Sequence, residues 1–128
     1  MKVVHWSKFN YEKRIVEGGV PSVKTLNLLS EGREKIEGVW CVVMNDELNE
    51  MWKQWVTVNR KSVVVYADVD KSKIVVMKSG VVVGSVSEFG DDELVEICKD
   101  SKNGLLVLGG IGKDEIDGVS LVVDIEWE

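Results

Sequence analysis

Several residue types are scarce in this chain, and each scarcity excludes a class of protein. The 128 residues include one proline, one alanine and one histidine, and the two cysteines, Cys41 and Cys98, stand far apart inside apolar segments. These thiols are too few for a disulfide scaffold or a cysteine-rich zinc site, so each is expected to be a small buried residue. No apolar run approaches the roughly 20 residues of a membrane helix or has the form of a signal peptide. We therefore expect a cytoplasmic protein.

Basic residues are also outnumbered. The chain has 16 lysines and arginines against 22 aspartates and glutamates, which gives a formal net charge of −6. A surface of this sign is not attracted to phosphate backbones, so nucleic-acid binding is disfavoured. It suits a basic partner instead, and we expect the partner or acceptor of this chain to be a protein.

Valine and tryptophan are abundant. The chain contains 25 valines and five tryptophans. β-branched residues fit the pleated surface of a sheet, whereas alanine, which favours helices, is almost absent. The length is that of one globular domain with a sizeable core, so residues 1–128 are expected to form a single β-rich domain.

Hydrophobic periodicity places helices along this domain. Two are predicted where apolar residues recur at helical spacing behind a capping side chain, the first after Asn45 or Asp46 and the second after Asp91. A shorter helix over 10–17 ends at Gly18-Gly19. The apolar positions of the two longer helices are Leu48, Met51, Trp52 and Trp55 in the first, and Leu94, Ile97 and Cys98 in the second.

Short apolar runs bounded by turn residues predict the strands, whereas the stretch 22–38 is too irregular to assign. A hairpin is expected where Lys78-Ser79-Gly80 separates two such runs. The fold class is therefore α+β, with about seven mostly antiparallel strands and two or three helices. The predicted strands cover 3–6, 39–44, 62–68, 73–77, 81–86, 105–108 and 119–125.

Two motifs that invite a functional interpretation are better explained as turns. The run Gly109–Lys113 is rich in glycine, but a phosphate loop needs glycine in place of Val107 and a hydroxyl in place of Asp114. A plain loop between strands is predicted there. Asp68 and Asp70 have a spacing that suits a cation, yet no third ligand is identifiable, so they are predicted to be solvated turn residues and no metal site is expected.

The single histidine, His5, lies in the first predicted strand. Periodicity alone favours a half-buried imidazole bonded to a neighbouring carbonyl group. The segments that follow it favour a second interpretation. After His5-Trp6-Ser7 come a helical segment that ends in Ile15-Val16-Glu17-Gly18-Gly19-Val20, then Gly38-Val39-Trp40, and later the run Val63–Asp70.

This order of motifs resembles the ADP-ribosyltransferase fold of the histidine-type branch, which includes poly(ADP-ribose) polymerases, RNA 2′-phosphotransferases and DarT-like toxins. The resemblance extends over most of the chain and is best in residues 3–20 and 38–74. It implies split sheets, NAD as co-substrate and transfer of ADP-ribose to a macromolecular acceptor. It also implies a catalytic glutamate at the start of a strand near the carboxyl end.

The resemblance assigns residues to the NAD site position by position. His5 matches the histidine that hydrogen-bonds the ribose 2′-hydroxyl of NAD, Trp6 the residue whose backbone pairs with the nicotinamide amide, and Ser7 the hydroxyl position. Trp40 falls where an aromatic residue, usually tyrosine, packs against nicotinamide. Cys41 departs from the pattern, because a hydroxyl residue is expected after that aromatic.

The catalytic carboxylate is assigned by its distance from the closing strand. That strand starts with Val119 and Ser120, so the nearest acids are Glu115 on the loop before it and Glu126 late within it. Such a charge stabilises the cation that forms as the glycosidic bond breaks. Glu115 is the candidate, delivered by its loop; otherwise the chain is a catalytically altered relative.

A different function class fits the same sequence, namely a non-enzymatic acidic binding module, such as an inhibitor or immunity protein, that covers a basic surface of its partner. The net charge supports it, as does the lack of a complete catalytic constellation. The acidic residues between 88 and 96 would supply contacts, although carboxylates there also complement the dipole of a helix that starts at this point. A cleft shared by His5 and Trp40, with a carboxylate in reach, would favour the transferase, whereas a His5 buried on the far side of the sheet from Trp40 would rule it out.

Overall fold

The fold is that of a computed structural model, which describes residues 1–7, 15, 17–20, 23–26, 35–58 and 63–121. Most of the predicted helix over 10–17 and the end of the predicted closing strand lie outside the described residues, as do the side chains of Ser7 and Trp55. Of the described helices, neither is long and apolar enough to span a membrane.

The architecture is α+β, as predicted, with a mostly antiparallel sheet and two helices. The strands run in the order β6-β5-β7-β3-β1-β4-β8, and β2 pairs with β3 outside this path. β2 lies in the stretch that periodicity left unassigned. The strands are β1 Lys2–Ser7, β2 Val23–Leu26, β3 Lys35–Val43, β4 Val63–Asp68, β5 Ile74–Lys78, β6 Val81–Ser85, β7 Asn103–Leu108 and β8 Ile116–Leu121, and the helices are α1 Asp46–Val58 and α2 Asp91–Cys98.

Both helices begin where capping groups were expected, with one correction. Asn45 Oδ1 accepts a hydrogen bond of 3.2 Å from the Leu48 amide at the start of α1. α2 is capped by Gly90 rather than by Asp91, because the Glu93 carboxylate accepts from the Gly90 amide at 3.2 Å and Asp91 is already helical.

The apolar face of α1 is narrower than its sequence predicts. Leu48 and Trp52 are buried, but the Met51 side chain is 46% exposed. Positions 48 and 52 are four residues apart and share one line along the helix, whereas position 51 stands at its flank. The periodic stripe of α1 therefore includes one residue that the sheet does not cover.

The core is built from alternating side chains of the sheet and the buried face of α2. Leu94, Ile97 and Cys98 of α2 belong to the same buried cluster as Cys41 of β3. Both cysteines are free and buried, as predicted. Burial raises the pKa of the Cys41 thiol and that of the Cys98 thiol, which disfavours the thiolate form of both.

Candidate functional site

The sheet divides between β1 and β3. Their described pairing consists of Val3 opposite Val43 and Val4 opposite Val42, extended by the Met44 amide, which donates to Lys2 O at 3.0 Å. Beyond this point the described pairs of β1, as far as Ser7, are with β4, while those of β3 are with β7 and β2. Among the described residues, one half of the sheet is thus β1, β4 and β8, and the other half contains the remaining strands. We call the short ladder between β1 and β3 the seam.

His5 lies where the seam ends. Backbone groups alternate in direction along a strand, and the carbonyl of Lys2 points to β3, so those of Val4 and Trp6 point there too. Continued pairing would bring the Trp6 amide to the Trp40 carbonyl. Instead, His5 Nδ1 lies 2.7 Å from Trp40 O. The imidazole therefore bonds the carbonyl that the next bond of the ladder would use.

This contact determines that Nδ1 of the His5 ring carries a hydrogen. A carbonyl oxygen only accepts, so Nδ1 carries the hydrogen and donates it to Trp40 O. In the neutral ring, Nε2 is then the acceptor. The half-buried imidazole bonded to a carbonyl, which periodicity alone favours, is confirmed.

The Trp40 ring lies on the sheet face away from the His5 side chain. Trp40 and Val42 are two residues apart in β3, so their side chains lie on the same face of the sheet, and so does that of Val4, which pairs with Val42. His5 is the residue after Val4, so its side chain starts from the other face of the sheet. The ring is 38% exposed. It packs over Gly104 of β7, where an added Cβ would lie only 2.9 Å from Trp40 Cε3 and Cζ3. His5 thus meets Trp40 at the backbone and not at the indole.

Trp6 is anchored by an aromatic contact. Its ring stacks on that of Trp52 in α1, with centroids 5.5 Å apart and planes inclined by 19°. Trp52 Nε1 in turn donates to the Cys98 carbonyl at the end of α2, at 3.0 Å. Both helices therefore help to fix the backbone of β1 beside the end of the seam. Ser7 follows as the last residue of β1, opposite Val63.

Glu115 lies apart from this group. His5 is opposite Val65, Val65 is opposite Val119, and Glu115 comes just before β8. Strand spacing and rise put the Cα atoms of His5 and Glu115 roughly 14 Å apart. The structure thus brings the backbones of His5, Trp6 and Trp40 to the end of the seam, but the side chains of His5 and Trp40 start from opposite faces of the sheet and Glu115 lies elsewhere. The described residues therefore do not form a cleft shared by His5 and Trp40 with a carboxylate in reach, and the catalytic role of Glu115 stays a prediction.

The contacts of Glu115 are with its own loop and with Lys73. Glu115 Oε1 lies 2.9 Å from Lys73 Nζ and accepts from the Gly112 amide at 2.9 Å. Burial acts to raise the pKa of this carboxyl, but the hydrogen bonds from Lys73 and Gly112 outweigh it and hold the pKa below its usual value. The carboxylate is therefore ionised at neutral pH.

The glycine-rich run is a loop between strands, as predicted. It links β7 to a 3₁₀ turn, Lys113–Glu115, that leads into β8. Gly109 and Gly110 have positive φ, and the Gly112 amide is bonded to Glu115. A loop whose amide already binds a carboxylate of the same chain does not have the open amides of a phosphate loop.

Asp68 and Asp70, which the sequence singles out as a possible cation-binding pair, each have a structural partner. Asp70 Oδ1 accepts from the Ser72 amide at 2.9 Å and caps a 3₁₀ turn, so it is a turn residue as predicted. Asp68 accepts from the Met1 ammonium group at 2.9 Å. In the part of the chain that is described, no three histidine, cysteine, aspartate or glutamate side chains gather as metal ligands.

Lys73 and Trp52 are the contact residues that sequence reasoning did not assign to this region. Lys73 and Glu115 are 42 residues apart, and Trp52 and Cys98 are 46 apart, so no local pattern joins them. Comparison of the chain with protein-family models, with curated proteins and with solved structures finds no match.

Proposed function

We propose that the chain is an NAD-binding domain of the ADP-ribosyltransferase type, and that the opening between β1 and β3 receives the nicotinamide end of NAD. The observation that carries the proposal is the His5–Trp40 contact of 2.7 Å. It ends the seam at the residues that the resemblance assigns to NAD. Two segments distant in sequence, His5-Trp6 in β1 and Trp40 in β3, thereby meet at the end of the seam.

The position of Trp6 supports this proposal. The resemblance assigns its backbone to the nicotinamide amide, and Trp6 directly follows His5 in β1. In this arrangement His5 orients the ribose, and the exposed Trp40 ring borders the opposite face of the sheet.

The proposal is for binding, with transfer as a separate property. Transfer requires a carboxylate beside the ribose, and Glu115 is engaged by Lys73 at 2.9 Å. If transfer takes place, the expected acceptor is a protein, because the formal charge of −6 disfavours nucleic acid. Release of nicotinamide from NAD measures the transfer step independently of binding.

The test is calorimetric titration with NAD, together with thermal unfolding at increasing NAD concentration. We expect saturable binding by the wild type and at least a tenfold weaker affinity for His5→Ala, because the imidazole both orients the ribose and ends the seam. Lys78→Ala is the matched control, since Lys78 is exposed at the end of β5. At a concentration 100 times the Kd, NAD should stabilise the fold by about 2.7 kcal/mol.

Two further measurements make this test decisive. His5→Asn retains an N–H donor that reaches Trp40 O but lacks the ring, so it should fold like the wild type and still bind NAD poorly. Unfolding without NAD shows whether either variant has lost the fold. The proposal is wrong if NAD neither binds nor stabilises the wild type, or if folded His5→Asn binds as tightly as the wild type.

The acidic binding module is the second candidate, favoured by the exposure of all five acidic side chains between 88 and 96. Three of them already have local partners, as Glu88 bonds the Ser85 amide, Glu93 the Gly90 amide and Glu96 the Lys99 ammonium group. Asp91 and Asp92 remain as the main contacts for a basic surface. Recovery of one basic protein, lost on replacing both by asparagine, together with no response to NAD, would favour this module.

A further inference from the structure

The two halves of the sheet are held together by more than the seam. Four connections cross from one half to the other, and two of them carry the contact described here, namely Val69–Lys73 from β4 to β5 and Gly109–Glu115 from β7 to β8. Lys73 is the last residue of the first connection and Glu115 the last residue of the second. Their ion pair of 2.9 Å joins the two connections directly.

The same ion pair organises the second connection. Lys73 Nζ also donates to Gly110 O at 3.4 Å, and the Glu115 oxygen that binds Lys73 accepts from the Gly112 amide as well. One ammonium group and one carboxylate therefore hold the loop in its bent form. Both side chains are partly buried, with 36% and 25% exposure, so solvent screens their attraction only in part.

A third segment is attached to this loop. Val20 and Ile111 exchange two backbone hydrogen bonds of 2.8 Å, which fixes the segment between β1 and β2 to the second connection. Gly19 fits closely against the Ile111 carbonyl and the Lys113 amide. The loop thus binds the chain that leaves β1 as well as the connection that leaves β4.

We propose that the Lys73–Glu115 pair is a clamp that keeps the two halves of the sheet closed at the seam, and that its release widens the opening beside His5. The seam pairs two residues of each strand, the fewest of any two neighbouring strands in the described sheet. The clamp joins the halves elsewhere, through the connections that cross between them. This role needs no ligand and is independent of NAD.

The test is native-state hydrogen exchange, with the Met44 amide as the probe of the seam, because it donates to Lys2 O. Glu115→Gln and Lys73→Met should each accelerate exchange of this amide roughly threefold to tenfold, the range of a partly exposed ion pair. Amides between β5 and β7 should not change. Glu115→Gln retains the size of the side chain and an oxygen for the Gly112 amide, so it removes the charge alone.

Three comparisons complete the experiment. Lys99→Met breaks an ion pair between the residue that follows α2 and Glu47 of α1, whose side chains are 29% and 62% exposed. It should leave the exchange rate of the Met44 amide unchanged relative to the amides of β7. The double variant should exchange no faster than either single variant, because both remove the same pair. Salt at 1 M should accelerate the wild-type seam in the same direction. Unchanged exchange at Met44, or equal acceleration at Met44 and in β7, would overturn the clamp.

Discussion

Replacing Gly19 with alanine is expected to lower the free energy of unfolding by about 2–4 kcal/mol. Gly19 has φ of +80°, a conformation that places the Cβ of other residues in conflict with the backbone. A Cβ there would also collide with the Ile111 carbonyl oxygen and would lie 2.9 Å from the Lys113 amide nitrogen. These atoms belong to the backbone and are held by the Val20–Ile111 bonds, so they cannot move aside without breaking that contact.

Gly109 provides the matched control, because it has the same conformation without the close contacts. Its φ is +77°, and a Cβ built on it meets nothing within 4 Å. Gly109→Ala should therefore cost about 1 kcal/mol, the conformational part alone. Urea denaturation of both variants measures the difference. Equal losses would show that the contact with Ile111 contributes nothing, and the tight fit between the two segments would have to be abandoned.

Local signals predicted the local elements of this fold. The hairpin at Lys78-Ser79-Gly80 is confirmed, with positive φ at Ser79 and Gly80, because two residues are enough to specify such a turn. The fold class and the burial of the cysteines are also predicted by local signals, namely short apolar runs and the apolar segments around Cys41 and Cys98. β2 was not, since its four residues are defined by pairing with β3 and not by an apolar pattern.

The candidate site could be predicted only in part. The place of His5 in a strand predicts that its ring bonds a backbone carbonyl group. The carbonyl belongs to Trp40, 35 residues away, so the sequence does not identify it. The end of the seam is a property of two strands together, so neither strand alone reveals it. The position of Glu115 before the last strand makes it the candidate catalytic carboxylate. Its partner Lys73 is revealed only by the arrangement of β4, β5, β7 and β8 in space.

The burial of α1 provides the second large effect. Leu48 is fully buried, so Leu48→Ala should lower the free energy of unfolding by about 3 kcal/mol through lost apolar contact and the cavity left behind. Met51, three residues further along the same predicted stripe, is 46% exposed. Met51→Ala should change stability by no more than about 0.5 kcal/mol.

This pair of variants separates the structure from the sequence pattern. Periodicity alone assigns Leu48 and Met51 to one apolar stripe and predicts similar losses, whereas the fold covers only the line through Leu48 and Trp52. Both substitutions leave alanine, which favours helices, so a difference between them reports burial and not helix propensity. Urea denaturation with unchanged m-values is the measurement. Losses of similar size would mean that α1 is rotated about its axis, and the stacking of Trp52 on Trp6 would then not hold β1 beside the seam.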